Sequence, residues 1–117
     1  MIGTLSQPEF RLIRLVIDVV AQHHRLEPDA LLLPARAANG HNLRLRSNTR
    51  RQARRHAMYV AYTAFSIRAE KIAVIFGLSG SSVRHTISRV SLRRDTSANE
   101  AAALAAIERA LGIEVIE

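Results

Sequence analysis

The chain has 117 residues, 48% of them apolar, and a formal charge of +7. That is enough for one modest hydrophobic core and too little for two. No apolar run approaches the roughly 18 residues of a membrane span or has the layout of a signal peptide, so a cytoplasmic protein without membrane attachment is expected. Cysteine is absent, which removes disulfides, thiolate catalysis and cysteine zinc sites together, and 4% aromatic content argues against a platform of stacked rings for single strands.

In chain order, Ser6 followed by Gln7-Pro8-Glu9 has the chemistry of a helix start, with a hydroxyl cap and a carboxylate at the positive helix end. Phe10, Ile13, Ile17, Val20 and Ala21 recur at spacings of three and four, so a first helix over about 7–24 is predicted. His23 and His24 end it as adjacent residues about 100° apart on a helix. They cannot form an i, i+4 metal pair, and the reading is a solvated helix end. Leu26 to Leu32 reads as a turn and a short helix, with Pro28 suited to a first helical position. Residues 34–48, with Pro34, Asn39, Gly40, Asn42 and Asn48, have loop chemistry and are expected to be the flexible segment.

From Thr49 the helical pattern returns, with Ala53, Ala57, Val60, Ala61 and Ala64 as a face of small residues for close packing, and Met58 and Tyr59 read as core. A third unit, Arg68 to Phe76, turns Ile72, Ile75 and Phe76 inward and stops at Gly77, a residue tolerant of positive φ. Ser79 can cap the next helix, whose Val83, Ile87 and Val90 form a buried stripe. Ser97 or Asn99 can start an Ala-rich last helix that runs to about Leu111 and ends at Gly112. Its Ala101, Leu104, Ala105, Glu108 and Leu111 line one face for packing or self-association.

Charge is distributed unevenly along this order. Residues 1–43 are neutral overall and residues 95–117 are acidic, whereas residues 44–94 hold twelve basic side chains against Glu70 alone. A middle so basic points to a polyanion. A helix over 68–76, a short turn containing Gly77 and a second helix with a polar, basic outer face make a helix-turn-helix pattern over about 68–90, the device that enters a DNA major groove. Small hydroxyl residues at the start of that second helix let the backbone approach the base edges. Ser81 and Ser82 meet that demand, while Arg84, His85 and Arg89 supply donors for guanine edges or phosphates. Asp18, Glu27 and Asp29 have no base nearby and Glu70 stands alone, so no acid/base or nucleophilic site is legible and no enzyme is expected.

Across about residues 13–93 the chain also resembles the C-terminal DNA-binding domain of the bacterial replication initiator DnaA. The resemblance is carried by Glu27-Pro28-Asp29-Ala30-Leu31-Leu32, by Arg54-Arg55-His56-Ala57-Met58-Tyr59-Val60-Ala61, by Glu70-Lys71-Ile72-Ala73-Val74-Ile75-Phe76-Gly77, and by Ser81-Ser82-Val83-Arg84-His85-Thr86-Ile87-Ser88-Arg89-Val90. It departs at the signature Asp-His-Thr-Thr of that family, where this chain has Ser79-Gly80-Ser81-Ser82. The family's own recognition box is therefore not carried over, and no Gly-rich Walker loop accompanies the resemblance.

The residue patterns and the resemblance together imply a single all-α domain over 1–117, with the helix-turn-helix in a Trp-repressor-like arrangement, a basic region over 44–94 and a C-terminal helix over about 97–111. The resemblance implies double-stranded DNA as partner, nucleoid association, no cofactor or metal, and a role in regulating replication or transcription. The DNA-binding residues expected from both lines of reasoning are Arg50, Arg51, Arg54, Arg55, Ser79, Ser81, Ser82, Arg84, His85, Ser88 and Arg89. The alternative reading is a helical interaction protein, dimerising or binding another protein through its N- or C-terminal helix, with charge serving general nucleic-acid adhesion.

Overall fold

A computed structural model describes residues 6–32 and 44–113, and all regular structure among them is helical. Helix α1 (Gln7–His24) leads to a single 3-10 turn (Pro28–Leu31), and then come α2 (Arg44–Phe65), α3 (Ala69–Phe76), α4 (Gly80–Thr96) and α5 (Ala98–Ala110).

Local chemistry explains most helix ends. Ser6 and Glu9 cap α1 reciprocally: the Glu9 N–H donates to the Ser6 hydroxyl at 3.2 Å and the Ser6 N–H donates to the Glu9 carboxylate at 3.1 Å. Glu9 also receives Lys71 of α3 at 2.8 and 3.0 Å, and the lysine, followed by the Ser6 contacts, lowers its pKa to about 2. At the other end of α1, Arg25 takes the left-handed conformation (φ 59°) usually left to glycine, and Leu26 donates to the Ala21 carbonyl at 2.8 Å. Ser97 opens α5 by accepting from the Glu100 N–H at 3.3 Å.

Two expectations are corrected. Of the loop expected over 34–48, residues 34–43 lie outside the described residues, and residues 44–48 belong to α2, which starts five residues before Thr49. Arg and Leu are good helix formers, so Asn48 and Thr49 are carried inside a helix that begins before them. His24 is the second correction. It is half-buried and turned toward α2, and is not a solvated helix end.

One core draws on every element: Ile13, Ile17 and Val20 of α1, Leu31, Val60 of α2, Ile72 of α3, Val83 of α4, and Leu104 and Ile107 of α5 are all fully enclosed. Each contributes roughly 1.5–3 kcal/mol of burial. Helix α2 is the axis of this packing, with α1 on one side and α4 on another, while α3 and α5 both lean on α4. Alanines at 53, 57 and 61 on α2, all buried, allow the close approach of its neighbours. The apolar face of α5 closes on its own chain. Arg94 of α4 reinforces it by gripping Glu108 at 2.9 and 2.6 Å while lying 5.9 Å from the Tyr59 ring centroid.

Candidate nucleic-acid interface

The turn between α3 and α4 is three residues long. Gly77 ends α3 with φ 68°, its N–H bound to the Ala73 carbonyl, and Leu78 donates to the same carbonyl at 3.0 Å. Ser79 then opens α4. Its hydroxyl accepts from the Ser82 N–H at 3.1 Å and donates to the Ser82 hydroxyl at 2.9 Å, which leaves the Ser82 proton to be donated elsewhere.

Helix α4 buries Val83, Ile87 and Val90 and presents the rest of its circumference to solvent. Ser79, Ser81, Ser82, Arg84, His85, Ser88 and Arg89 are all exposed, so the fold brings these seven sequence-predicted residues onto one helix and its cap. At 100° per residue, Ser81, His85 and the exposed Leu92 stand outermost, with Ser88 beside them. Ser82, Arg89 and Arg93 lean to one flank, and Arg84 and Ser91 lean to the other.

The four arginines expected at the start of α2 separate. Arg50 is buried, 8% exposed. Arg54 is half-buried, donates through Nη2 to the Phe76 carbonyl at 2.9 Å and lies 5.6 Å from the Phe76 ring centroid, so it holds the C-terminus of α3. Burial, then the charge of Arg50, lowers its pKa. Arg51 is exposed and Arg55 half-exposed, and Arg55 feels the charges of Arg51 and of Arg89 and Arg93 of α4. The pKa of Arg55 is lowered first by burial and then by repulsion from Arg93, Arg51 and Arg89. Among the described residues no carboxylate forms an ion pair with Arg51, Arg55, Arg89 or Arg93; Glu100 acts on Arg55 through space only. The result is a patch of net positive charge on one flank of α4, offset by Glu100 through space at Arg55 and Arg93, of the kind that attracts phosphate. Arg93 was not among the expected contacts, although its i, i+4 spacing from Arg89 was visible in the sequence.

The other flank carries a groove of about 490 Å³ between the helices, lined by Tyr59, Tyr62 and Thr63 of α2 and by Arg84, Ser88 and Ser91 of α4. Here Arg84 forms an ion pair through Nη1 with Glu70 of α3. The pKa of Glu70 is held below its ordinary value by its own backbone N–H and then by Arg84.

Behind the patch runs a buried polar chain with no local signature in the sequence. His56 is fully enclosed, with its Nε2 2.7 Å from Glu100 and its Nδ1 3.1 Å from the Nε2 of His24. A carboxylate only accepts, so the His56 Nε2 carries the proton toward Glu100 and the neutral Nδ1 accepts from His24. Burial lowers the pKa of both histidines, to about 4 for His24, and the charge of Glu100 opposes this for each. For Glu100, burial pushes upward, but the His56 hydrogen bond and charge bring it below its ordinary value. The chain ties α1, α2 and α5 together directly beneath Arg55. Partners separated by 32 and 44 positions leave no spacing pattern to read. Among the described residues there is no group of three or more histidines or carboxylates able to hold a metal, and no helix long and apolar enough to cross a membrane.

No family model matches the chain, and no curated protein and no solved structure matches it.

Proposed function

We propose that the chain binds double-stranded DNA in a sequence-selective way, with α3, its three-residue turn and α4 acting as a helix-turn-helix in a Trp-repressor-like arrangement, and that it regulates replication or transcription as a relative of the initiator DNA-binding domain. The observation that carries this reading is a juxtaposition: the polar outer arc of α4 lies beside the arginine patch of Arg51, Arg55, Arg89 and Arg93.

A helix entering the major groove needs small donors at its leading end and cations where its flank meets the phosphates. Ser81 and Ser82 occupy the first turn of α4, and His85 follows one turn later on the outermost line. Electrostatic attraction brings the arginine flank to the backbone and sets register, and the serines, His85 and Arg84 then meet base edges. The hydroxyl of Ser82 is oriented by Ser79 before any contact is made, which reduces the ordering cost of binding. Glu100 and Glu108 of α5 are engaged inward with His56 and Arg94, so they do not face the phosphates.

The test is selection of bound duplexes from a random pool by the full chain, followed by salt titration of the enriched duplex and a random one. Enrichment that survives excess random duplex supports the proposal, with each phosphate contact contributing roughly 0.9 to the salt slope. Binding that random duplex removes completely would identify general adhesion instead, and absence of duplex binding would overturn the reading.

A further inference from the structure

Glu70 is the only acid among residues 44–94. It does not lie apart from the basic surface but pairs with Arg84 across the turn between α3 and α4. The pair lies at the surface, with the Arg84 side chain 56% and the Glu70 side chain 46% exposed, on the flank of α4 that bears the groove. Its geometry is held on both sides. Glu70 stands in the first turn of α3, next to the N-terminal backbone donors. Beneath it, a Cβ on Gly80 would come within 3.2 Å of Glu70 Cγ and 3.4 Å of Arg84 Nη1, so the first residue of α4 has the size that lets the pair close over it.

A carboxylate beside a guanidinium nearly cancels its charge and repels a phosphate, so the pair gains little from a DNA backbone. It offers an oriented planar fork. The contact to Glu70 uses Nη1, and the remaining N–H groups suit two coplanar acceptors such as O6 and N7 of guanine. The arginines on the other flank form no ion pair with a carboxylate among the described residues and suit phosphates.

We propose that Glu70 is a positioning residue that commits Arg84 to reading a guanine edge instead of clamping a phosphate; this rests on the DNA-binding reading above and names how that site obtains part of its specificity. A fork ordered before DNA arrives binds its acceptors with less entropic loss.

The experiment compares the full-length wild type with Glu70→Gln, Gly80→Ala and Arg84→Lys, each titrated with the most enriched duplex from the selection and with a random duplex of equal length. Glu70→Gln removes a negative charge, so its affinity for random duplex is expected to hold or rise. Its preference for the enriched duplex should fall roughly 5- to 150-fold, the discrimination of one bidentate base contact. Arg84→Lys keeps the charge without the planar fork and should give the same relaxation at the same guanine. Gly80→Ala sits in a helical position where alanine favours the helix, so thermal stability should hold while discrimination falls, a combination that a purely structural pair would not produce. Retained guanine preference in Glu70→Gln, or equal losses on both duplexes, would overturn this proposal and leave DNA binding standing. A wild type that binds neither duplex would overturn both.

Discussion

Replacing His56 by alanine should be among the most damaging single changes in the molecule. The ring is fully enclosed and donates to Glu100 at 2.7 Å while accepting from His24. A hydrogen bond to a charged acceptor contributes roughly 1.5–3 kcal/mol and the neutral one about 1 kcal/mol. Removal also leaves the Glu100 carboxylate, 9% exposed, with the more distant Gln52 amide at 3.4 Å. Together with the space left by the enclosed ring, the expected loss is roughly 3–5 kcal/mol. For 117 residues, about 4 °C of melting temperature corresponds to each kcal/mol, so a drop of roughly 12–20 °C is expected in thermal denaturation followed by circular dichroism. Glu100→Gln keeps an acceptor for His56 and should cost about 1 kcal/mol. If His56→Ala and Glu100→Ala each moved the melting temperature by less than about 2 °C, the polar chain would not be what holds α5 to α1 and α2.

The same chain gives a pH dependence. His24 in the folded protein stays neutral down to about 4, whereas in the unfolded chain it takes a proton near 6.5, so the unfolded state binds more protons between those values. Stability should therefore decline as pH falls from about 6.5 to about 4, and His24→Gln should flatten melting temperature against pH in that window. Loss of the Glu9 pairing belongs to a lower window, between about 4.5 and 2. Arg51→Ala with Arg55→Ala should reduce the salt slope of duplex binding by roughly 0.9 for each phosphate that is no longer neutralised, with little effect on melting. Arg54→Ala should do the opposite, lowering melting temperature because the Phe76 carbonyl no longer has its guanidinium donor, and leaving the salt slope near that of wild type. Gly77→Ala meets no atom within 4 Å, so its cost is that of a left-handed residue alone, roughly 1–2 kcal/mol measured by chemical denaturation.

The helices themselves were legible from residues 6–32 and 49–113 because their signals are local. Ser6 with Glu9, Ser79 and Ser97 start helices through a hydroxyl that reaches a backbone N–H three residues on. Gly77 ends one because the turn needs positive φ. Val83, Ile87 and Val90 announce a buried stripe by spacing alone, and the same spacing puts the serines, Arg84, His85 and Arg89 on exposed faces whatever the tertiary fold. Every one of these depends on neighbours within about one helical turn.

What the sequence could not decide is which long side chains turn inward, since an arginine or histidine on a helix obeys the same periodicity whether it meets water or another helix. Arg50 and Arg54 read as DNA contacts beside Arg51 and Arg55, yet packing of α2 against α3 draws Arg54 onto the Phe76 carbonyl, and Arg50 is buried. His24, His56 and Glu100, each unremarkable in its own segment, become one hydrogen-bonded chain only when α1, α2 and α5 converge. Glu70 is a single stray acid in the sequence, and only the folded turn sets it against Arg84, fourteen positions away. Local spacing determines which residues share a helical face, and the contact between helices determines which charges are left for a partner to use.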